Sequence, residues 1–303
     1  MIEKLEMLLA LASERHFGRA AEVVGVTQQS LSAGIKQLEE RLGVLLVQRG
    51  SRFQGFTAEG EKALEWARRI VGDARAMRQE VRRLSRGLAG HLRIAAIPTA
   101  LPVVASLTTP FRARHPEVRF TVRSTTSAEI LSLLANLEAD IGLTYLDNEP
   151  LGRVTALPLY RESYRLITAA DAPLGRRESV TWAEAAGVPL CLLTPDMQNR
   201  RIVDAHLRAA GTEPATALES NSMIVLMTHV RTGRWASILP TVLAGLLGLT
   251  EPLRAIPITA PEVSHAIGLV ALQRDPALSL VSAFVAEARE AALGLSGSEE
   301  LPI

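Results

Sequence analysis

Residues 17–60 read FGRAAEVVGVTQQSLSAGIKQLEERLGVLLVQRGSRFQGFTAEG. Their spacing predicts two short amphipathic helices joined by a tight turn and followed by a Gly/Arg/Ser-rich loop. Ala20, Ala21 and Val24 give the first helix a small apolar face that admits a close neighbour, and Gly25-Val26 breaks it. Thr27 stands where an N-cap is needed, which leaves Gln28, Gln29 and Ser30 in the exposed first turn of the second helix. Leu31, Ile35, Leu38 and Leu42 recur at three- and four-residue steps, so one stripe faces a core. The opposite face carries Gln28, Gln29, Ser32, Lys36 and, a turn further on, Glu39. Amides and hydroxyls pair with base edges while lysine suits phosphate, so this face has the chemistry to enter a DNA major groove. Arg49-Gly50-Ser51-Arg52 reads as the basic tip of a wing, and Thr57 as the cap of the next helix. The expectation is a winged helix-turn-helix with Thr27, Gln28, Gln29, Ser32, Lys36, Arg49, Arg52 and Thr57 as its DNA contacts.

This segment resembles the LysR-type transcriptional regulators. Phe17/Ala20/Ala21, Thr27-Gln28, Ser32/Ile35/Leu38-Glu39, Leu42-Gly43/Leu46 and Thr57/Gly60 meet the family pattern at its fixed spacings. Two departures stand out. Ala33-Gly34 follows the recognition-helix serine where many members have Arg or Gln, which removes a base or phosphate contact; Val47 replaces the usual Phe before the wing, which repacks the core.

Composition agrees with that reading. The chain has 303 residues, 48% of them hydrophobic, enough for two or three domains with real cores, and a formal charge of +1 excludes a general polyanion binder. Residues 1–90 hold 15 Lys/Arg against 11 Asp/Glu, a modest basic bias at the DNA-reading end. Met1-Ile-Glu-Lys-Leu-Glu is mixed in charge and does not read as a signal peptide. The apolar run 238–249 is interrupted by Pro240 and is short of the roughly 20 residues a bilayer span needs. With one cysteine the chain has no intramolecular disulfide, and the expected compartment is the cytoplasm, with no membrane partner.

Past the wing, Leu64, Ala67, Val71, Ala74, Met77, Val81 and Leu84 alternate three- and four-residue steps on one helix, the pattern of a two-stranded seam. Arg68, Arg69, Arg75, Arg78, Arg82 and Arg83 crowd the opposite face. Gly87-Leu-Ala-Gly90 then marks a hinge. From Leu92 on, strands and helices alternate: a strand at 92–97, a helix at 100–114, a strand at 119–124, a helix at 127–137 and a strand at 140–145. A second set has strands near 166–169, 189–193 and 236–239 and helices near 199–210 and 221–232. A return strand at 266–272 and a last helix at 276–293 complete an α/β module built on a parallel sheet. The resemblance implies that this module is two Rossmann-like subdomains similar to periplasmic binding proteins (type II), with an effector between them. It also implies that the seam pairs subunits into a dimer that doubles to a homotetramer, a dimer of dimers on a double-stranded DNA operator, with RNA polymerase as a further partner. The domains then fall at 1–58 (winged helix-turn-helix), 59–87 (linker helix) and 88–303 (regulatory), the last split into about 91–160 with 266–303 and about 161–265.

Ligands in open α/β sheets sit beyond the carboxyl ends of strands, where helix N-termini offer unpaired N–H groups. Four junctions there are rich in small polar groups, and they supply the candidate effector residues Thr99, Ala100, Thr126, Ser127, Thr144, Pro195, Gln198 and Asn199. Thr99, Ser127 and Thr194 also read as ordinary helix caps. Donors predominate, so a small anionic metabolite is expected, with Arg200 and Arg201 as counter-charges. The stretch 192–202 is similar to that of family members tied to formate metabolism. The six histidines are scattered without metal-ligand spacing, Cys191 lies in an apolar run, and no phosphate-binding loop, nucleophile elbow or dinucleotide fingerprint is present. No cofactor, metal or catalytic role is therefore expected. The alternative is a solute-binding or enzymatic α/β module with an N-terminal association domain.

Overall fold

A computed structural model describes residues 1–48, 53–213, 216–246, 252–273 and 278–295; the side chains at 79, 82–86, 245–246 and 293–295 lie outside the description. The chain falls into two units, one formed mainly by Met1–Leu88 and the other by most of the chain from Ala89 onward.

In the first unit, α1 (Ile2–Glu14) packs on α2 (Phe17–Val23), α3 (Gln28–Leu42) and α4 (Ala58–Arg86). Leu8, Leu11, Leu31 and Leu38 form its fully buried centre. Thr27 caps α3 as expected, its Oγ1 accepting from the Ser30 N–H at 3.1 Å. The cap of α2 is His16, whose Nδ1 accepts from the N–H groups of Gly18 (3.1 Å) and Arg19 (3.3 Å). Two expectations for α3 need correction. Its buried face is Leu31, Gly34, Ile35 and Leu38, and Leu42 at its last residue projects past that face, 45% exposed. Glu39 is not on the free face either: its carboxylate accepts from the N–H groups of Leu46 (2.8 Å) and Val47 (3.1 Å), tying α3 to the wing. Gly34 has a packing reason, since a Cβ there would stand 2.5 Å from Met7 Sδ.

Val47 pairs antiparallel with Phe56, and the Gln48 N–H donates to Gly55 O at 3.0 Å, so a wing forms on either side of residues 49–52. Arg49 and Arg52 lie outside the described residues. Phe53 meets Phe17 and Phe56 edge-on, with centroids 6.3 and 5.1 Å away. Gly60 permits the wing strand to touch α4: a Cβ there would come within 2.0 Å of Leu46 O.

The apolar stripe of α4 divides. Leu64, Ala67 and Val71 are buried in the chain itself, on a helix that packs against α1. Trp66, Ile70, Met77 and Val81 stay exposed, at 53, 40, 62 and 63%. Steps of four, seven and four keep these side chains on one face of the helix. Leu84, Arg82 and Arg83 lie among the undescribed side chains.

The second unit begins with β1 (Gly90–Ala96), α5 (Leu101–Arg114), β2 (Val118–Ser124), α6 (Ser127–Ala135), β3 (Ile141–Tyr145) and β4 (Val154–Glu162). The chain then enters β5 (Tyr164–Ala169), β6 (Val180–Thr181), α7 (Trp182–Ala186), β7 (Leu190–Leu192), α8 (Gln198–Ala209), β8 (Thr216–Glu219), α9 (Met223–Val230), β9 (Ser237–Pro240), α10 (Thr241–Leu246) and β10 (Leu253–Thr259). It returns through β11 (His265–Leu272) and ends in α11 (Ser279–Leu295).

Two α/β subdomains result. The first is built on a sheet of order β2-β1-β3-β11-β4, the second on β6-β10-β5-β9 with the pair β7-β8 beside it. Strands β2, β1 and β3 are parallel as expected, but β11 runs antiparallel to both β3 and β4, and the second sheet is mixed. The reason is connectivity: the chain leaves the first sheet after β4 and re-enters it from the other subdomain, so the returning strand points back. Four strands escape the sequence reading, β4 and β10 among them, because Pro158 and Pro257 interrupt their alternation. Pro158 is tolerated because β4 is an edge strand.

Candidate functional site

Two surfaces carry candidate chemistry. On α3, Thr27, Gln28, Gln29, Ser30, Ser32, Ala33 and Lys36 are all exposed, while the buried stripe anchors the helix from behind. The structure thus places five of the candidate DNA contacts, Thr27, Gln28, Gln29, Ser32 and Lys36, on one free helical surface. Thr57 is different. Its hydroxyl donates to Leu45 O at 2.6 Å and accepts from the Gly60 N–H at 2.9 Å, which binds the wing to the start of α4.

The second surface lies where the carboxyl ends of β1, β2 and β3 stand side by side, with Ala96 in register with Ser124 and Leu143. Thr99, Ala100, Ser127 and Thr144 follow or end these strands and are buried. The cap assignment shifts by one residue: Thr126 Oγ1 accepts from the Glu129 N–H at 3.2 Å and so caps α6. The Oγ atoms of Thr99, Ser127, Thr144 and, across in the second subdomain, Thr194 make no hydrogen bond among the described residues. Reading Thr99, Ser127 and Thr194 as caps is therefore wrong. Buried hydroxyls without partners are uncommon, because each costs about 1–3 kcal/mol of desolvation.

The second subdomain meets this end through the first turn of α8. Gln198 Nε2 donates to Asp147 O at 3.1 Å, and Asn199 Nδ2 donates to Tyr145 Oη at 3.0 Å. Both side chains are buried, whereas Pro195 is exposed on its loop. Arg200 and Arg201 are both committed to partners within the protein. Arg200 is enclosed by Asp204 (2.8 Å), Glu219 (2.8 Å), Leu193 O (2.7 Å) and Thr216 (3.3 Å), and Arg201 pairs with Glu149 at 2.6 Å.

Beneath this end lies a cluster that sequence reasoning missed. Tyr145 donates to Glu162, and its Oη is 3.4 Å from that of Tyr164. Burial pushes the Glu162 carboxyl up to about 8, against the pull of hydrogen bonds from Tyr145 and Asn199 and with a smaller push from Asp147. Near neutral pH Glu162 is thus largely the neutral acid. Its Oε2 and the Tyr160 Oη make no hydrogen bond among the described residues. No local signal marks these residues, since Tyr145, Glu162 and Asn199 stand on three separate elements.

Among the described residues no three His, Cys, Asp or Glu side chains converge as metal ligands, and no helix is long and apolar enough to cross a membrane. Cys191 is fully buried, its Sγ 3.5 Å from Ala236 O and 3.6 Å from Leu226 O. Burial pushes its thiol up to about 11.

A winged helix-turn-helix, a linker helix and two α/β subdomains joined by β4–β5 and β10–β11 define a class of DNA-binding regulator. The family models agree: "Bacterial regulatory helix-turn-helix protein, lysR family" matches residues 2–61, and "LysR substrate binding domain" matches residues 85–293. The chain belongs to the LysR family of transcriptional regulators. It is 28% identical over 270 residues to the DNA-binding transcriptional dual regulator OxyR of Escherichia coli (strain K12), covering 89% of this chain and 88% of that protein. Its fold is similar to that of a full-length OxyR variant from Pseudomonas aeruginosa (TM-score 0.73, 24% identity, 97% of this chain and 95% of that one). It is also similar to CbnR solved with its target DNA (TM-score 0.62, 21% identity, 96% of this chain and 99% of that one).

Proposed function

We propose that this chain is a cytoplasmic, sequence-specific regulator whose operator binding responds to a small molecule held between its two regulatory subdomains. The observation that carries the first half is the α3 surface: five polar side chains face outward from a helix whose other side is sealed by Leu31, Gly34, Ile35 and Leu38. Gln28, Gln29 and Ser32 read base edges, Thr27 and Lys36 contact phosphate, and Arg49 and Arg52 of the wing add further phosphate contacts. Thr57 acts by holding the wing in place. Subunits pair through Trp66, Ile70, Met77 and Val81 of α4, and two pairs form a dimer of dimers that spans a long operator and meets RNA polymerase beside it. The functional boundaries follow the three segments 1–58, 59–87 and 88–303.

The effector is held by Thr99, Ala100, Ser127 and Thr144 on one side and by Thr194, Gln198 and Asn199 on the other, with Thr126 and Pro195 shaping the rim. Four unpartnered hydroxyls favour a small ligand rich in hydrogen-bond acceptors. Both nearby arginines are already paired, so the ligand carries at most a single negative charge. Peroxide sensing does not carry over from the relatives described as hydrogen peroxide-inducible genes activators. Oxidation by peroxide proceeds through an accessible thiolate, and the one cysteine, Cys191, is buried with its thiol pushed up to about 11.

A thermal-shift series with formate, acetate, glycolate and other small monoacids, each compared with a dianion of similar size, tests this assignment. Stabilisation by a monoacid supports it, and stabilisation by dianions alone overturns the charge limit. With the identified ligand, Thr99→Val and Gln198→Ala should each weaken the effector response by about 1 kcal/mol, roughly fivefold in concentration, and leave effector-free DNA binding unchanged. Response at wild-type concentrations in both variants would move the pocket elsewhere.

A further inference from the structure

His206 and His265 take no part in the surfaces described above. The fold nevertheless brings them together. His206, on α8 of the second subdomain, has its Nε2 3.3 Å from the Nε2 of His265, the first residue of β11 in the first subdomain. Each ring is held on its other side. Trp182 from α7 stacks on His206 with centroids 4.9 Å apart and planes 32° off parallel. Asn148 Nδ2 lies 2.8 Å from His265 Nδ1, and Asp147 Oδ1 lies 3.4 Å from the same nitrogen.

These contacts fix the proton positions. An amide N–H from Asn148 donates to Nδ1, so neutral His265 carries its proton on Nε2 and donates it to His206 Nε2. A proton added to His206 Nε2 sets two N–H groups against each other across the subdomain boundary.

The surroundings do not offset the charge on His206. Glu162 stands opposite His265 in the β4–β11 register and is largely neutral near pH 7. Tyr145 and Tyr164 approach His265 with ring centroids at 6.3 and 6.0 Å, and burial pushes both phenols further above their ordinary range. On α8 itself, Asp204 is engaged by Arg200 and Arg208. Among the described residues no carboxylate is within ion-pair distance of the His206 ring. Burial, and next the neighbouring His265, hold His206 below the ordinary histidine range.

We propose that the His206–His265 contact is an acid-sensitive catch between the two regulatory subdomains, closed when His206 is neutral and released when its ring is protonated. The sign follows from the lowered pKa. The contact contributes fully above the ordinary histidine value and is lost as pH falls below it through the depressed value of His206. Release works against the Gln198–Asp147 and Arg201–Glu149 contacts, which bridge the same boundary, so it loosens α8 without unfolding either subdomain. The catch needs no effector.

Hydrogen exchange followed by mass spectrometry on the full chain between about pH 7.5 and pH 5.5, corrected for the intrinsic pH dependence of exchange, tests it. In wild type, segments 145–149 and 198–206 should lose protection on acidification, by up to about tenfold per pH unit, the limit for one proton. Segment 92–96 in β1 should not. His206→Gln should abolish the acid response, and His206→Lys should show the reduced protection already at neutral pH. Equal acid responses in wild type and His206→Gln would overturn the proposal. Should His206→Gln fail to fold, the fluorescence of Trp182 in a Trp66→Phe/Trp235→Phe chain gives the second reading. Quenching by the protonated ring should have a midpoint below about 6.5, and a midpoint at or above that value would overturn the proposal.

Discussion

A chain carrying Met77→Glu and Val81→Glu should sediment as a monomer at micromolar concentration, and its affinity for a two-half-site operator should fall by roughly a hundredfold or more, the usual worth of tethering two binding modules. The argument is one of exposure. Both side chains are more than half exposed in the single chain, so carboxylates there disturb no internal packing and stability should change by less than about 0.5 kcal/mol. In a paired seam, the same carboxylates would lie buried among Trp66, Ile70 and their partner copies, without counter-charge. Val71→Glu would be the wrong probe, because Val71 is fully buried within its own unit and a charge there attacks the fold. An oligomer that survives the double substitution in light scattering would remove this face from the interface.

Arg200→Ala should cost about 3–5 kcal/mol of regulatory-domain stability, whereas Arg201→Ala beside it should cost less than about 1 kcal/mol. The residues are adjacent and both are ion-paired, so burial decides between them. Arg200 has 7% of its side chain exposed and satisfies Asp204, Glu219, Leu193 O and Thr216 at once; its loss leaves Asp204, itself only 11% exposed, with only the longer Arg208 contact at 3.7 Å. Arg201 and Glu149 are 40 and 36% exposed, and water takes over from either. Urea unfolding of the two variants measures the difference, and equal costs would mean that the buried network is not a stability element.

What the sequence disclosed and what it hid follow from the range of the interactions. The candidate DNA-reading helix is legible because period and exposed face lie within the 15 residues of α3 and the cap directly before them, and Thr27 caps α3 as its position predicts. Periodicity reports that a stripe is apolar and not what covers it. That is why Leu64, Ala67 and Val71 looked continuous with Met77 and Val81 although the first three are buried in their own chain. Strand ends pointed to the candidate effector residues, but the choice of cap at α6 falls between adjacent hydroxyls, and Thr126 takes it in place of Ser127. Arg200 looked free to meet a ligand because its partners Thr216 and Glu219 stand on β8, a strand that the turn-rich segment before it conceals. The Tyr145–Glu162–Asn199 cluster and the His206–His265 pair were illegible, since each joins elements that become neighbours only when the chain crosses twice between sheets.

The claim that α3 reads base edges is tested most directly by the ratio of two affinities at one fixed salt concentration. An operator is selected from random duplex DNA with the wild-type chain, and then wild type, Gln28→Ala and Gln29→Ala are each titrated with that operator and with random duplex. Each variant should lose about 1–3 kcal/mol on the operator, roughly tenfold or more, and much less on random DNA, because a base-edge contact exists only at the cognate sequence. Equal losses on both duplexes would make these amides phosphate contacts, and no loss on either would contradict the placement of α3 in the groove.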